Sequence, residues 1–313
     1  MGWLAVRGID WGLVLDQFQH FPVIWALVSL LTVVVANILR AYRWKVLFVG
    51  ERISTLRLFM VQNTGIGLNN VVPVRVISEG VQFALLTLRY KVNNGVALGT
   101  MGIERILDMV ITASLLMAGL ILIPDVGQAR PYVIGAFVFA ILSVLAVPLF
   151  VKLAGMGFFS RISLLAATIE YLSQLKQAKS ALVQSFLLTL AHWLLLGLAV
   201  WVLAFGMDLG ISPVVATLTI LGTLYFTTSV PSLPAGLGTF EFAVVYVLKL
   251  FDVDQASAFS FAVVIHAVVF LPPIVVALAL FSSLGLHPFK RTVKGAETPP
   301  AQVLATEGST GEE

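Results

Sequence analysis

The sequence predicts an all-α membrane protein, a polytopic bundle of transmembrane helices, and two observations lead to this fold class. Of its 313 residues, 59% are hydrophobic and only 11% carry a charge, whereas about a quarter of the residues in a soluble domain are charged. The mean hydropathy is +0.99, and apolar runs approach the roughly 20 residues that a helix needs to cross the hydrocarbon core. Part of this apolar surface must therefore face lipid.

The apolar runs follow one another along the chain and define its elements. They lie near residues 21–39, 58–73, 92–123, 132–151, 181–206, 213–233, 239–251 and 256–284. Between the fourth and fifth runs, residues 160–179 carry Ile and Leu at spacings of three and four, with charged residues between them. This pattern predicts an amphipathic helix on the membrane surface.

We assign these elements to one transmembrane domain, residues 1–286. Its first half covers about 1–152 and its second half about 181–286, with the amphipathic helix between them. Residues 287–313 contain too few apolar side chains to form a core, so we predict a disordered tail.

Charge placement predicts how the domain is oriented. Basic residues outnumber acidic ones in the connections 40–57, 152–179 and 287–297, and the positive-inside rule places such connections in the cytoplasm. The C-terminus is therefore expected on the cytoplasmic side of the cell membrane. The formal net charge of +3 reflects this asymmetry, and no nucleic-acid partner is expected.

Basic and aromatic residues cluster at the end of the first run. Arg40, Arg43 and Lys45 are predicted to be membrane-interface residues that contact anionic headgroups. Trp44 is predicted to be an interfacial anchor. Substrate binding at these positions is the alternative.

Each half of the domain contains an interrupted apolar element. The connections before residue 58 and after residue 123 are expected on opposite sides of the membrane, and the run 92–123 supplies the crossing between them. Residues 58–88 are therefore predicted to enter and leave the membrane on the cytoplasmic side. In the second half, proline and glycine break the chain at 229–238, and the remaining run is too short for an easy crossing. Paired broken or re-entrant elements of opposite orientation are typical of transporters with an inverted repeat. The sequence is compatible with such a repeat.

Polar residues inside apolar runs are the candidate site residues, because ionisable groups in a membrane normally pair or face a cavity. They are Asn70, Arg75, Glu79, Glu104, Arg105, Asp108, Gly236, Gly238 and Glu241. For a phospholipid headgroup, the two arginines would contact phosphate and the carboxylates a cationic moiety. Alternatively, the charges neutralise one another and hold helices together. Glu241 stands alone beside backbone amides that the glycines release.

Several function classes lack support. The chain has no cysteine, and His20, His192, His266 and His287 lack metal-ligand spacing. His192 and His266 are expected to be satisfied polar residues of the bundle. No catalytic constellation or nucleotide-binding loop is present, so neither an enzyme nor a cofactor is predicted.

Four motifs together carry a family resemblance. They are Arg40-Ala-Tyr-Arg43-Trp44, Asn70-Val-Val-Pro73-Val-Arg75 with Glu79, Glu104-Arg105-Ile-Leu-Asp108 and Pro231-Ser-Leu-Pro234-Ala-Gly236-Leu-Gly238-Thr-Phe-Glu241. In this order, over about residues 10–284, they resemble the flippase-like family typified by the transmembrane region of lysylphosphatidylglycerol synthase. The family usually has a further span before the Asp10-Trp11 pair, and commonly a glycine where this chain has Ser78.

The resemblance implies a lipid flippase or translocase that moves a polar phospholipid or glycolipid between leaflets. Membrane lipids would then be its partners and substrates. The alternative is a non-transporting scaffold, or a partner of a separate lipid-modifying synthase or glycosyltransferase.

Overall fold

The computed structural model describes residues 2–71, 75–122, 130–153, 163–229 and 233–283, and within these ranges the chain is helical with no strand. The helices are α1 (Gly2–Val6), α2 (Trp11–Gln19), α3 (Val23–Val46), α4 (Thr55–Val71), α5 (Arg75–Ala84), α6 (Asn94–Leu122), α7 (Arg130–Leu153), α8 (Ser163–Gln177), α9 (Lys179–Gly206), α10 (Pro213–Ser229), α11 (Thr239–Lys249) and α12 (Gln255–Ser283). The all-α fold class is thus confirmed. The predicted tail 287–313 lies outside the described residues.

Each predicted apolar run corresponds to a helix, in order α3, α4, α6, α7, α9, α10, α11 and α12, and helices α5 and α8 lie between them. By length and composition, three helices of the described chain could cross a membrane: α3, α9 and α12. Exposed apolar side chains cover their outer faces, including Leu27, Leu187 and Leu278. These helices support a membrane protein.

Two large hydrophobic clusters form most of the interior. The larger one joins α9, α10, α11 and α12 around Phe240 and Phe261. The other joins the end of α3 to α4, α6 and α8 around Trp44 and Tyr171. Helix α4 packs closely along α12. Gly67 permits this approach, because a side chain there would collide with the carbonyl group of Pro273.

Asp254 caps the N-terminus of helix α12. Asp254 Oδ1 accepts a hydrogen bond from the backbone N–H of Ser257 at 2.9 Å. Partial burial acts to raise the pKa of Asp254, but hydrogen bonds from Ser257 and nearby amides outweigh it, so the pKa lies below its usual value. The cap is therefore a carboxylate at neutral pH, where it favours a helix N-terminus.

The amphipathic segment 160–179 is confirmed as a helix over Ser163–Gln177, while residues 160–162 lie outside the described chain. Its buried residues face the bundle: Tyr171 donates a hydrogen bond to the carbonyl oxygen of Leu47 at 2.8 Å. Gly95 and Gly99 of α6 make room for this helix, because a Cβ at either would overlap Ala167 or Tyr171. Part of its apolar face thus contacts protein.

Both predicted interruptions coincide with helix ends. Helix α4 ends at Val71 and packs against α5, which begins at Arg75. Helix α10 ends at Ser229, and a 3₁₀ turn at Pro234–Gly236 precedes α11. With 11 residues, α11 is about 16 Å long, about half the hydrocarbon thickness. Their membrane orientations and the inverted repeat stay predictions.

Candidate functional site

The largest set of buried charges joins α3 to α6. Arg43 Nη2 lies 2.8 Å from Asp108 Oδ2 and 3.0 Å from Glu104 Oε1. Arg40 lies 3.4 Å from Asp108 and 3.5 Å from Glu104. We call these four residues the α3–α6 ion cluster. Its two cations and two anions balance, so it carries no net charge.

Neutral side chains from two further helices complete the α3–α6 ion cluster. Gln62 of α4 donates a hydrogen bond to Glu104. On α9, Thr189 accepts a bond from Arg43 at 2.8 Å, and Trp193 Nε1 donates to Asp108 at 3.0 Å. The cluster therefore holds four helices together, which supports the structural alternative for Glu104 and Asp108.

This arrangement corrects the predicted membrane-interface residues. Arg43 is 1% exposed and Trp44 is fully buried, so neither can contact headgroups, while Arg40 is mostly buried in the ion cluster. Lys45 is exposed. The positive-inside rule counts charges near a helix end, but it does not show which face of the helix they occupy.

Arg105 has a different partner from the one that its spacing suggests. Its Nε lies 3.6 Å from Glu79 Oε1 of α5, and both side chains are nearly half exposed. Asp108 on the same helix contacts Arg40, Arg43 and Trp193 instead. The side chain of Arg75 lies outside the described part of the structure.

The second interruption forms a compact polar turn. Ala235, Gly236 and Gly238 have φ values of +58°, +75° and +75°, a region that favours glycine. The N–H of Gly238 donates to Glu241 Oε2 at 2.7 Å, so the carboxylate caps the start of α11. The sequence predicts a backbone amide free of helical hydrogen bonding beside Glu241. In the structure this amide, the N–H of Gly238, binds the carboxylate of Glu241 itself.

Glu241 does not stand alone, contrary to the prediction. Its Oε1 lies 2.5 Å from His266 Nδ1, and the other ring nitrogen of His266 lies 3.0 Å from the carbonyl oxygen of Ala235. His266 is thus a satisfied polar residue, as expected. Twenty-five residues separate this pair in sequence, so no local spacing could have revealed it.

A polar row on α4 was only partly predicted. Gln62, Asn63, Asn69 and Asn70 lie on neighbouring faces because residues seven apart nearly superimpose along a helix. Each has a buried oxygen or nitrogen atom that finds no hydrogen-bond partner among the described residues. We call them the α4 polar row. Leaving such groups unpaired costs about 1–3 kcal/mol each, so the row is suited to polar ligands. Helix α4 also packs against the 3₁₀ turn.

His192 is the other buried histidine of the described bundle. Its Nδ1 lies 2.9 Å from the carbonyl oxygen of Ala36, which joins α9 to α3. Within the described residues, no group of three or more potential metal ligands comes together. The two buried histidines thus provide contacts between helices.

The fold and these sites define a polytopic helical membrane protein with interrupted helices and buried polar groups. The family model for the lysylphosphatidylglycerol synthase transmembrane region matches residues 1–277, and this chain belongs to that family. It is also similar to UPF0104 membrane protein MJ1078 of Methanocaldococcus jannaschii, with 25% identity over 233 residues, which cover 72% of this chain and 95% of that protein.

Proposed function

We propose that this protein moves a polar phospholipid or glycolipid between the leaflets of the membrane. The observation that carries the proposal is the contact between the second interruption and α4, whose polar row has unpartnered buried atoms. Interrupted backbone and polar atoms are tolerated at membrane depth only against protein or a wet cavity. A headgroup that passes between the two interruptions would contact both the backbone of the second interruption and the α4 polar row.

The candidate residues whose side chains are described then divide into three sets. Glu79 and Arg105 form a partly exposed pair, which a zwitterionic or anionic headgroup can enter without opening the core. Asn70 with the α4 polar row, and the turn at Gly236, Gly238 and Glu241, would form the inner contacts. Glu104 and Asp108 support the helices through the balanced α3–α6 ion cluster.

The test is lipid translocation in reconstituted vesicles. Phosphatidylglycerol and phosphatidylethanolamine carrying a fluorophore on one acyl chain are added in separate preparations, and an impermeant reductant bleaches the outer leaflet. We expect protein to make inner-leaflet fluorescence accessible for at least one of them. Accessibility equal to that of protein-free vesicles for both headgroups would favour the scaffold, a partner of a separate synthase or glycosyltransferase. Neither role requires catalysis or a cofactor.

We also propose a location in the cell membrane with a cytoplasmic C-terminus. The chain has no cysteine, so single cysteines replacing Ser309 and Asp254 can be labelled with an impermeant thiol reagent in intact cells. The acidic connection with Asp252 and Asp254, which precedes the last apolar run, is expected outside the cell. We therefore expect labelling of the Asp254→Cys variant from outside, and of the Ser309→Cys variant only after permeabilisation. Labelling of both from the same side would contradict this topology.

A further inference from the structure

His266 is held between two hydrogen-bond acceptors. One ring nitrogen faces the carboxylate of Glu241 and the other faces the carbonyl oxygen of Ala235. A neutral imidazole has one N–H donor and one acceptor nitrogen. It can therefore satisfy only one of these contacts when Glu241 is ionised.

One additional proton satisfies both contacts. With that proton on the ring, both nitrogens donate, to Glu241 and to Ala235. With it on the carboxyl group instead, Glu241 donates to Nδ1 and the Nε2–H donates to Ala235. In either form the pair is neutral overall, which suits its burial.

The surroundings isolate this pair from other charges. The rings of Phe240 and Phe270 lie 4.6 Å and 4.4 Å from the ring of His266. From α11 the charged group in contact is Glu241, and the 3₁₀ turn contributes the neutral carbonyl oxygen of Ala235. Within the described residues, no ion pair joins His266 to α2, α3, α4 or α9.

The proton links parts of the chain that are otherwise strained. Ala235 is in the left-handed region at φ +58°, which is unfavourable for a residue other than glycine. Its carbonyl oxygen is bound to α12 through His266, and Glu241 binds the N–H of Gly238. Loss of the proton would remove one of the two His266 contacts and favour release of the turn.

We infer that Glu241, His266 and the Ala235 carbonyl form a proton-binding site that holds the 3₁₀ turn at Pro234–Gly236 against α12. This inference rests on the proposed function for its purpose, because release of the turn on deprotonation would couple lipid movement to protons. The site itself can be tested without any lipid substrate.

The experiment measures how accessible the turn is to a thiol reagent. Thr239 is buried at the start of α11, so the full-length Thr239→Cys protein reports its release. A second protein, Thr100→Cys, carries the same change at a buried position of α6. The ratio of their labelling rates removes the intrinsic pH dependence of thiols. We expect the ratio to rise at least about tenfold from about pH 5 to about pH 9, because loss of the proton removes one hydrogen bond that holds the turn.

Two further variants, each made in both cysteine backgrounds, give opposite results. In Glu241→Gln, the introduced amide can accept from Gly238 and donate to neutral His266, so the ratio should stay low at every pH. In His266→Gln, the link to Ala235 is lost, so the ratio should stay high. His192→Gln is the matched control, because His192 faces one backbone carbonyl, and it should retain the parent's pH dependence.

A ratio that does not change with pH in the parent would overturn the proton site, and so would an unchanged pH dependence in Glu241→Gln. Lipid translocation in vesicles remains an independent test of the proposed function whichever of these results is obtained. Translocation with a pH-independent ratio would refute only the proton coupling. A pH-dependent ratio without translocation would refute only the transport function.

Discussion

Arg43→Met is expected to destabilise the protein by about 3–5 kcal/mol. The change leaves Glu104 and Asp108 buried against one remaining arginine, and it also removes the donor to Thr189. An uncompensated charge in the interior costs more than the lost pair was worth. Thermal unfolding of the purified protein in detergent measures the loss.

Lys45→Met provides the matched control for Arg43→Met. It removes a positive charge two residues away on the same helix, but Lys45 is exposed, so the change in stability should stay within about 0.5 kcal/mol. An equal loss for the two variants would show that the α3–α6 ion cluster is not what makes Arg43 important.

The whole α3–α6 ion cluster can also be removed at once. Replacing its four residues with apolar side chains of similar volume leaves no unpaired charge, so folding should be retained. If the cluster is structural, lipid translocation should survive with it. Loss of translocation in a stable fourfold variant would assign headgroup binding to the cluster.

Gly238→Leu is expected to abolish lipid translocation while expression and membrane insertion stay normal. Gly238 has φ +75°, and a Cβ there would lie 2.8 Å from the backbone of Gly2 in α1. Leucine therefore both strains the turn and displaces the helix beside it. Gly236→Leu should act similarly, since its Cβ would collide with Thr227.

Gly222→Leu is the control for this change. Gly222 lies in α10, shortly before the interruption, and a Cβ there would meet no atom within 4 Å. The same addition of apolar volume should leave translocation close to the parent rate. If Gly222→Leu is as damaging as Gly238→Leu, added bulk rather than the turn accounts for the loss.

The helices could be predicted from sequence because hydropathy acts locally. The run 256–284 matches α12 within one residue at each end, and glycine with proline marked the second interruption. Helices α1 and α2 were not predicted because they are short. Asp10 indicates the start of α2, since it accepts a hydrogen bond from the N–H of Gly12 at 2.9 Å.

The partners of the site residues could not be predicted in the same way. Arg40 and Arg43 contact Glu104 and Asp108, which lie more than sixty positions further along the chain. Whether Glu104 and Asp108 face these two arginines or pair with Arg105 on their own helix depends on how α3 and α6 are rotated about their axes. The contact between His266 and Glu241 could not be predicted either, because the two residues lie on different helices. Spacing along one helix shows which residues share a face, but it does not show which helix lies opposite.

Lipid translocation by Glu241→Gln tests the central claim most directly. The substitution keeps the shape of the side chain and its bond to Gly238, but removes the charge that faces His266. If the second interruption forms part of the lipid pathway, vesicles with this variant should translocate lipid far more slowly than vesicles with the parent, at equal protein content and similar thermal stability. Translocation at the parent rate would contradict the account.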